Sequence, residues 1–318
     1  MRAADPHLPE ATAFALDRAG KPSAALAVAT VLFTAHNRKD MVLQAIARAL
    51  EQTVPVHVIV ADDASTDGTQ AAVSIAFPGV TYLRSEASHG PCYQRNRGLE
   101  AAATDIVFPL DDDSMLVSPR SLEQALAAFR EDVALVAMPF QNILQSDEVL
   151  QPPSWGGGGP FFDFVACAHG LRRKAVLEIG GFHEPYFYMG EESDLAIRLR
   201  DRGWLTLIAA SDPVHHLQPP ARRSYRPDFY GRRNDVLFVW LRAPGWRLLS
   251  EMPRVVARGF LFAARTGRMK ATFDGYAAAL RDILRGKARR APVRPRIYAE
   301  FLRARAARKR IVDPPKGA

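Results

Sequence analysis

The segment 106–116, IVFPLDDDSML, runs an apolar stretch straight into three consecutive carboxylates, Asp111, Asp112 and Asp113. Unit charges about 5 Å apart repel by roughly 1 kcal/mol in water and by more in a partly buried cleft, so the trio calls for a positive partner. Side chains two residues apart in an extended segment share a face at roughly 6.5 Å, which lets Asp111 and Asp113 face one pocket. Carboxylate oxygens are hard ligands, and Mg²⁺ or Mn²⁺ is commonly held by one or two of them together with substrate phosphates. The structural alternative is an Asp-rich turn in which Ser114 begins a local cap.

Other residues invite a chemical reading as well. Glu191, Glu192 and Asp194 in MGEESDLAIRLRDRGW stand in the first turn of a helix bearing Leu195, Ile197, Leu199 and Trp204; acids there are favoured by the positive end of the helix dipole. Asp62 and Asp63 close another apolar run, with Ser65, Thr66 and Asp67 suited to the free N–H groups of the following helix. A carboxylate such as Asp63 on a binding rim can accept an N–H from a base such as uracil. Segment 152–170 sets four glycines between Trp155 and two phenylalanines, a composition that suits a flap, with a floppy surface insertion as the structural alternative. No G-x-G-x-x-G or G-x-x-x-x-G-K-[ST] follows the first strand, so the dinucleotide and P-loop cradles are missing.

These residues need elements to position them. Over the first 140 residues, apolar runs of strand length alternate with segments of helical period. Strands are expected at 28–35, 56–63, 80–85, 105–112 and 134–140, with helices at 41–50, 66–77, 93–103 and 122–129 between them. Buried strands joined by helices imply a mostly parallel sheet covered on both faces, with ligands beyond the carboxyl ends of its strands. Those ends carry TAHNR, ADDASTDGT and PLDDDS, so three polar clusters converge on one rim. The 318 residues, 48% apolar, suffice for a substantial core. Cys92 and Cys167, 75 residues apart, give neither a disulfide framework nor a paired-thiol metal site. The net charge of +8 is concentrated toward the end, from Arg254 to Arg310, where basic residues interleave with apolar ones as in helices that lie on anionic membrane surfaces.

Five motifs in order, over about residues 28 to 204, resemble those of the family 2 glycosyltransferases, inverting enzymes of GT-A fold. TAHNRKD is similar to T-x-N-R, VIVADDASTDGT to V-D-D-x-S-x-D-x-T, and GPCYQRNRGL to G-x-x-x-A-R-N-x-G-L. FPLDDDSML resembles the D-x-D segment, and IGGFHEPYFYMGEESDLAIRLRDRGW resembles G-G-F-D-E … G-E-D-x-D-L-x-x-R-L-x-x-x-G-W. The resemblance implies an α/β, Rossmann-like GT-A domain over 25–218, with a nucleotide-binding half (25–140) and an acceptor and catalytic half (141–218). A poorly ordered arm (1–24) would precede it and a helical basic C-terminal region (219–318) would follow. It further implies that Thr34, His36 and Asn37 line the nucleotide pocket, that Asp63 contacts the base, Arg95 the nucleotide or diphosphate, Asp111 the ribose side and Asp113 the metal, with Asp112 beside them. Glu192, six positions before Arg198, matches the catalytic base, where relatives usually carry Asp; Glu191 and Asp194 are placed with Trp155 on the acceptor or flap side. A base near its ordinary value of about 4.3 would be ionised at neutral pH, helped by the helix N-terminus. His215 and His216 follow another strand, where relatives often place a histidine that completes the metal shell, and His215 is favoured. Arg233 and Asn234 resemble a segment that contacts the diphosphate in polysaccharide-assembly members.

The implied reaction is sugar transfer from a nucleoside-diphosphate donor, UDP- or dTDP-linked, to a glycan or lipid-linked acceptor hydroxyl, with Mg²⁺ or Mn²⁺ as cofactor, in cell-surface polysaccharide or glycolipid assembly. A non-catalytic nucleotide-sugar binder is the alternative favoured by the Glu192 departure. A nucleic-acid binder, suggested by the Arg-rich tail, has no recognised binding motif and an acidic rim that would repel phosphates; no nucleic-acid partner is expected. Without a leader or an apolar run of about 18 residues, the expected location is cytoplasmic, peripheral at the inner face of the membrane through the basic tail.

Overall fold

The structure is a computed structural model that describes residues 27–156, 161–219 and 225–312. The expected arm and residues 157–160 of the glycine-rich stretch lie outside these residues. β1 (Ala29–Ala35), α1 (Lys39–Leu50), β2 (Val56–Asp62), α2 (Thr69–Ala76), β3 (Thr81–Arg84), α3 (Pro91–Ala101) and β4 (Ile106–Asp111) alternate as the apolar runs foretell. α2 starts later than expected. Asp67 accepts both the N–H and the hydroxyl of Thr69, and Gly68 sits at φ 84°, so a turn rather than the helix uses residues 66–68.

β5 (Ser114–Met115), α4 (Ser121–Leu126), β6 (Val133–Ala137), β7 (Phe140–Gln141), β8 (Val149–Leu150), β9 (His169–Arg172) and α5 (Arg173–Glu178) come next, then α6 (Glu191–Asp201), β10 (Leu205–Ile208) and β11 (Val214–His216). The chain then turns helical: α7 (Tyr225–Arg242), α8 (Leu248–Thr266), α9 (Met269–Leu284) and α10 (Pro295–Val312). Among the described residues a seven-stranded sheet runs β10-β6-β9-β4-β1-β2-β3, parallel except for β9, which lies antiparallel between β6 and β4. A smaller sheet, β5-β11-β7-β8, adjoins its rim.

Side-chain alternation along β1 feeds two cores. Leu32 belongs to the cluster containing Cys92 and Leu99 of α3, whereas Val31 and Phe33 join Val42, Ala45, Ile46 and Ala49 of α1. Those four recur at i, i+3, i+4 and i+7, one stripe of a helix. At Gly98 a Cβ would fall 2.2 Å from the Leu32 side chain, so only glycine lets α3 lie this close to β1. Parallel register sets the strand ends side by side, with Ala35 opposite Asp62 and Thr34 opposite Asp111. α7 packs on α8 and α9, and Arg242 of α7 is ion-paired with Asp194 of α6, so the helical region is fastened to the sheet domain. No helix among the described residues is long and apolar enough to cross a membrane.

Candidate active site

β4 ends at Asp111, and Asp112 and Asp113 form the turn into β5. The cation they face is Arg38, from the loop after β1: its Nη1 donates to Asp112 Oδ1 at 3.0 Å and to Asp113 Oδ2 at 2.5 Å. The Arg38 side chain remains 44% exposed while both carboxylates are buried, so this cation can leave the pair into solvent. Burial pushes the Asp112 carboxyl up to about 7 despite Arg38, with Asp113 and Asp111 adding to the rise. Asp113 moves the other way: burial opposes its ionisation, but the His216 and Arg38 contacts hold it below its ordinary value.

β11 pairs antiparallel with β5, setting His216 opposite Ser114 and His215 opposite Met115, and the Leu217 N–H donates to the Asp113 carbonyl at 2.8 Å. Strand alternation therefore turns His216, not the favoured His215, toward the acids, with Nε2 3.3 Å from Asp113 Oδ1. Ligand atoms of Asp111, Asp113 and His216 all lie within 4.8 Å of one another. His216 Nδ1 faces Asn142 Oδ1 at 2.8 Å. With Nδ1–H donating there, Nε2 turns a lone pair toward a carboxylate oxygen, a juxtaposition that needs a proton or a cation between the two. Two carboxylates and an outward-facing imidazole nitrogen suit Mg²⁺ or Mn²⁺.

On the β2 side, Asp63 is held by the loop that precedes α3. Its oxygens accept from Ser88 Oγ (2.5 Å), the His89 N–H (2.7 Å), the Gly90 N–H and Gln94 Nε2 (2.7 Å), which hold its carboxyl low against the cost of burial. These contacts organise the loop before α3, and Asp63 also borders the cavity. Asn37, at φ 53°, likewise braces two loops: its N–H donates to Ser65 Oγ and its Oδ1 accepts from the Thr66 N–H. Thr34 and His36 line the cavity with Asp63, whereas Asn37 does not.

A cavity of about 600 Å³ opens over this rim, and its opposite wall is the start of α6. Arg95 of α3 joins the two walls, donating to Asp111 Oδ1 (2.9 Å) and Glu191 Oε1 (2.7 Å). Burial favours loss of its proton, but Asp111 and Glu191 outweigh this and raise its pKa. Arg95 is thus a buried crosspiece, only 2% exposed, with both arginine nitrogens of its fork already engaged. Glu192 faces the same cavity. Burial, with Glu191 alongside, raises its carboxyl above the usual range, so desolvation and a like charge defeat the helix N-terminus expected to keep it ionised. Asp194 is fully buried between Arg198 (2.7 Å) and Arg242 (2.5 Å), which overcome burial and hold it at about 2. It is a strut between α6 and α7, not an acceptor-side group.

Arg233 and Asn234 are also struts. Arg233 pairs with Asp282 of α9 at 2.6 Å, and Asn234 Nδ2 donates to the carbonyls of Tyr186, Tyr188 and Met189, fixing the turn that leads into α6. Neither lines the cavity, whereas Arg226, about two turns earlier on α7 and set over the rings of Phe187 and Tyr188, does. Trp155 lies in a 3₁₀ turn, Pro153–Gly156, and is not part of the cavity wall. A second cavity, of about 370 Å³, lies behind the α6 start among α7, α8 and α10, and Met189 lines both. Arg38 and Arg226 escaped the residue-by-residue reading, and His216 was weighed there but passed over for His215. Arg38 alone left a plain signal, as the cation of TAHNR on the same rim as the unpaired acids.

Residues 30–182 match the family model described as Glycosyl transferase family 2. The chain is 29% identical over 304 residues to the N-acetylglucosaminyl-diphospho-decaprenol L-rhamnosyltransferase of Mycobacterium tuberculosis, covering 77% of this chain and 97% of that one. It is 38% identical over 116 residues to the succinoglycan biosynthesis protein ExoO of Rhizobium meliloti, covering 36% of this chain and 32% of that one. Among solved structures, a mannosyltransferase from Pyrobaculum calidifontis in complex with GDP-Man and Mn²⁺ superposes with a TM-score of 0.56 at 18% identity, covering 95% of this chain and 91% of that one; the likeness is one of fold.

Proposed function

We propose, for a chain whose residues 30–182 match the family 2 glycosyltransferase model, that the cavity transfers a sugar with inversion from a nucleoside-diphosphate donor to an acceptor hydroxyl in cell-surface glycan or glycolipid assembly. The observation that carries this reading is the opposition of two unlike acid sets across one cavity: Asp111, Asp113 and His216 on one wall, Glu192 on the other. Asp111, Asp113 and His216 would hold the divalent ion, Mn²⁺ or Mg²⁺. When bound it supplies positive charge to the leaving diphosphate, a contribution of several kcal/mol.

The chain's own residues do the rest. Thr34 and His36 border the nucleotide, and Asp63 acts through the loop it organises. Arg38, released from the acids, and Arg226 are the cations at the mouth nearest a diphosphate. Glu192 takes the proton of the acceptor hydroxyl as that oxygen attacks the anomeric carbon; the bond to the diphosphate oxygen breaks on the opposite face, and its electron pair leaves with the nucleoside diphosphate. Glu191, anchored by Arg95, fixes the α6 turn that carries Glu192. UDP or dTDP is the proposed nucleotide.

The relative from Mycobacterium tuberculosis is named for a lipid-diphosphate acceptor, and the same acceptor class is proposed here, approaching from the Glu192 side, with the protein peripheral at the cytoplasmic face of the membrane. A screen of UDP- and dTDP-sugars with and without Mn²⁺ or Mg²⁺, read by thermal shift and by nucleoside diphosphate release, tests the reading. Metal-dependent stabilisation by one nucleotide class is the expected result; equal binding with and without metal would overturn the ion's role.

A further inference from the structure

α9 is apolar on two sides. Its inner face, Ala271, Thr272, Gly275 and Ala279, is buried, and α9 packs on α7 closely enough that a Cβ at Gly275 would come within 2.6 Å of the Phe229 carbonyl. Its outer face carries Met269, Phe273, Leu280 and Leu284, exposed by 45%, 64%, 57% and 77%. Their spacings of four, seven and four residues put them on one side of the helix, a stripe roughly 22 Å long. Large side chains in such a row on a water-facing helix mark a surface that meets something else.

The charges around the stripe say what. The acids of α9 are already neutralised: Asp282 pairs with Arg233, and Asp274 accepts from Lys270 and Tyr225. Arg281 on the flank of the stripe, and Arg285 and Lys287 just past its end, are exposed and have no carboxylate partner among the described residues. The surface is therefore apolar and net cationic.

We infer that the outer face of α9 docks on an anionic lipid bilayer, with Phe273, Leu280 and Leu284 entering the acyl boundary and Arg281, Arg285 and Lys287 reaching the phosphate layer. This places the membrane contact on one helix face rather than on the basic tail at large. It deepens the reading of a lipid-linked acceptor, and rests on that reading only for its purpose.

The test is co-sedimentation of the full chain with phosphatidylcholine vesicles with and without phosphatidylglycerol. Binding is expected to require phosphatidylglycerol and to weaken as salt rises. Phe273→Ser with Leu280→Ser should lower the partition coefficient about tenfold or more. Arg281→Glu with Arg285→Glu should do the same on phosphatidylglycerol vesicles. Circular dichroism checks that each variant is folded, and the lipid-free thermal shift with UDP and Mn²⁺ reports separately on the donor site, so failure of one reading is distinguishable from failure of the other. Folded variants that partition like the wild type would overturn the inference. So would a concentration-dependent dimer that both substitutions dissolve, since a second copy would then be the occupant.

Discussion

Asp111, Asp112 and Asp113 at the end of β4, and Glu191, Glu192 and Asp194 at the start of α6, are both three-carboxylate clusters, and each has one member on Arg95. Each also has a member pushed up, Asp112 or Glu192, and a member held down, Asp113 or Asp194. They differ in where the opposing charge sits. Asp194 is clamped by arginines whose side chains are 11% and 5% exposed, whereas Asp113 is held by Arg38 at 44%. A buried cation cannot be exchanged without leaving a charge unpaired; an exposed one can step aside. The β4 cluster is thus built to trade its cation, and the α6 cluster to keep it, leaving Glu192 as the member of the second set without a cation of its own.

The comparison is broken most severely at Glu192. Glu192→Gln should lower transfer by about 10³-fold while nucleotide affinity with Mn²⁺ changes little, as measured by labelled-sugar transfer and calorimetry. Equal loss of both would make Glu192 a binding residue. Next, urea unfolding should separate the two held-down acids: Asp194→Asn should cost about 3–5 kcal/mol, since two buried arginines lose their partner. Asp113→Asn should stay within about 1 kcal/mol, its arginine being free to turn to water, yet should abolish the stabilisation that Mn²⁺ gives.

The raised Glu192 carboxyl predicts a rate that climbs with pH, because the base works only when ionised and protonation silences it below its raised value. The linked stability has the opposite sign. A carboxyl raised on folding contributes stability that is complete below its unfolded value, about 4.3, and is lost as pH rises through the folded value, so Glu192→Gln should gain on the wild type across that window. A wild type that keeps pace with the variant would place the raised group elsewhere. The smallest effect is at Arg38: Arg38→Ala should tighten Mn²⁺ binding without nucleotide by a few-fold, as expected when a partly exposed competitor is removed.

Much of this was legible in the chain, unevenly. The strands and the rim they form follow from apolar runs and period, because a buried parallel strand needs little beyond its own composition. The pairing of Asp111 with Asp113 followed from local spacing. Choosing between His215 and His216 did not, since it depends on the register of β11 against β5, a hundred residues earlier in the chain. Arg233, Asn234 and Asp194 were misjudged because a polar residue that braces a turn from behind has the same composition as one that faces a ligand; only their partners, Asp282, the Tyr186 carbonyl and Arg242, tell them apart. Asp63 has both kinds of surroundings, since it borders the cavity and accepts from the loop at 88–90, which its own composition did not foretell.

On this reading the β4 acids exchange Arg38 for a divalent ion in the presence of nucleotide. A crystal soaked with Mn²⁺ and UDP, with data collected at the manganese edge, tests it directly. The expected result is an anomalous peak bound by Asp111, Asp113 and His216, with the Arg38 guanidinium withdrawn from Asp113. A nucleotide-filled cavity with no such peak and Arg38 still seated between Asp112 and Asp113 would contradict it.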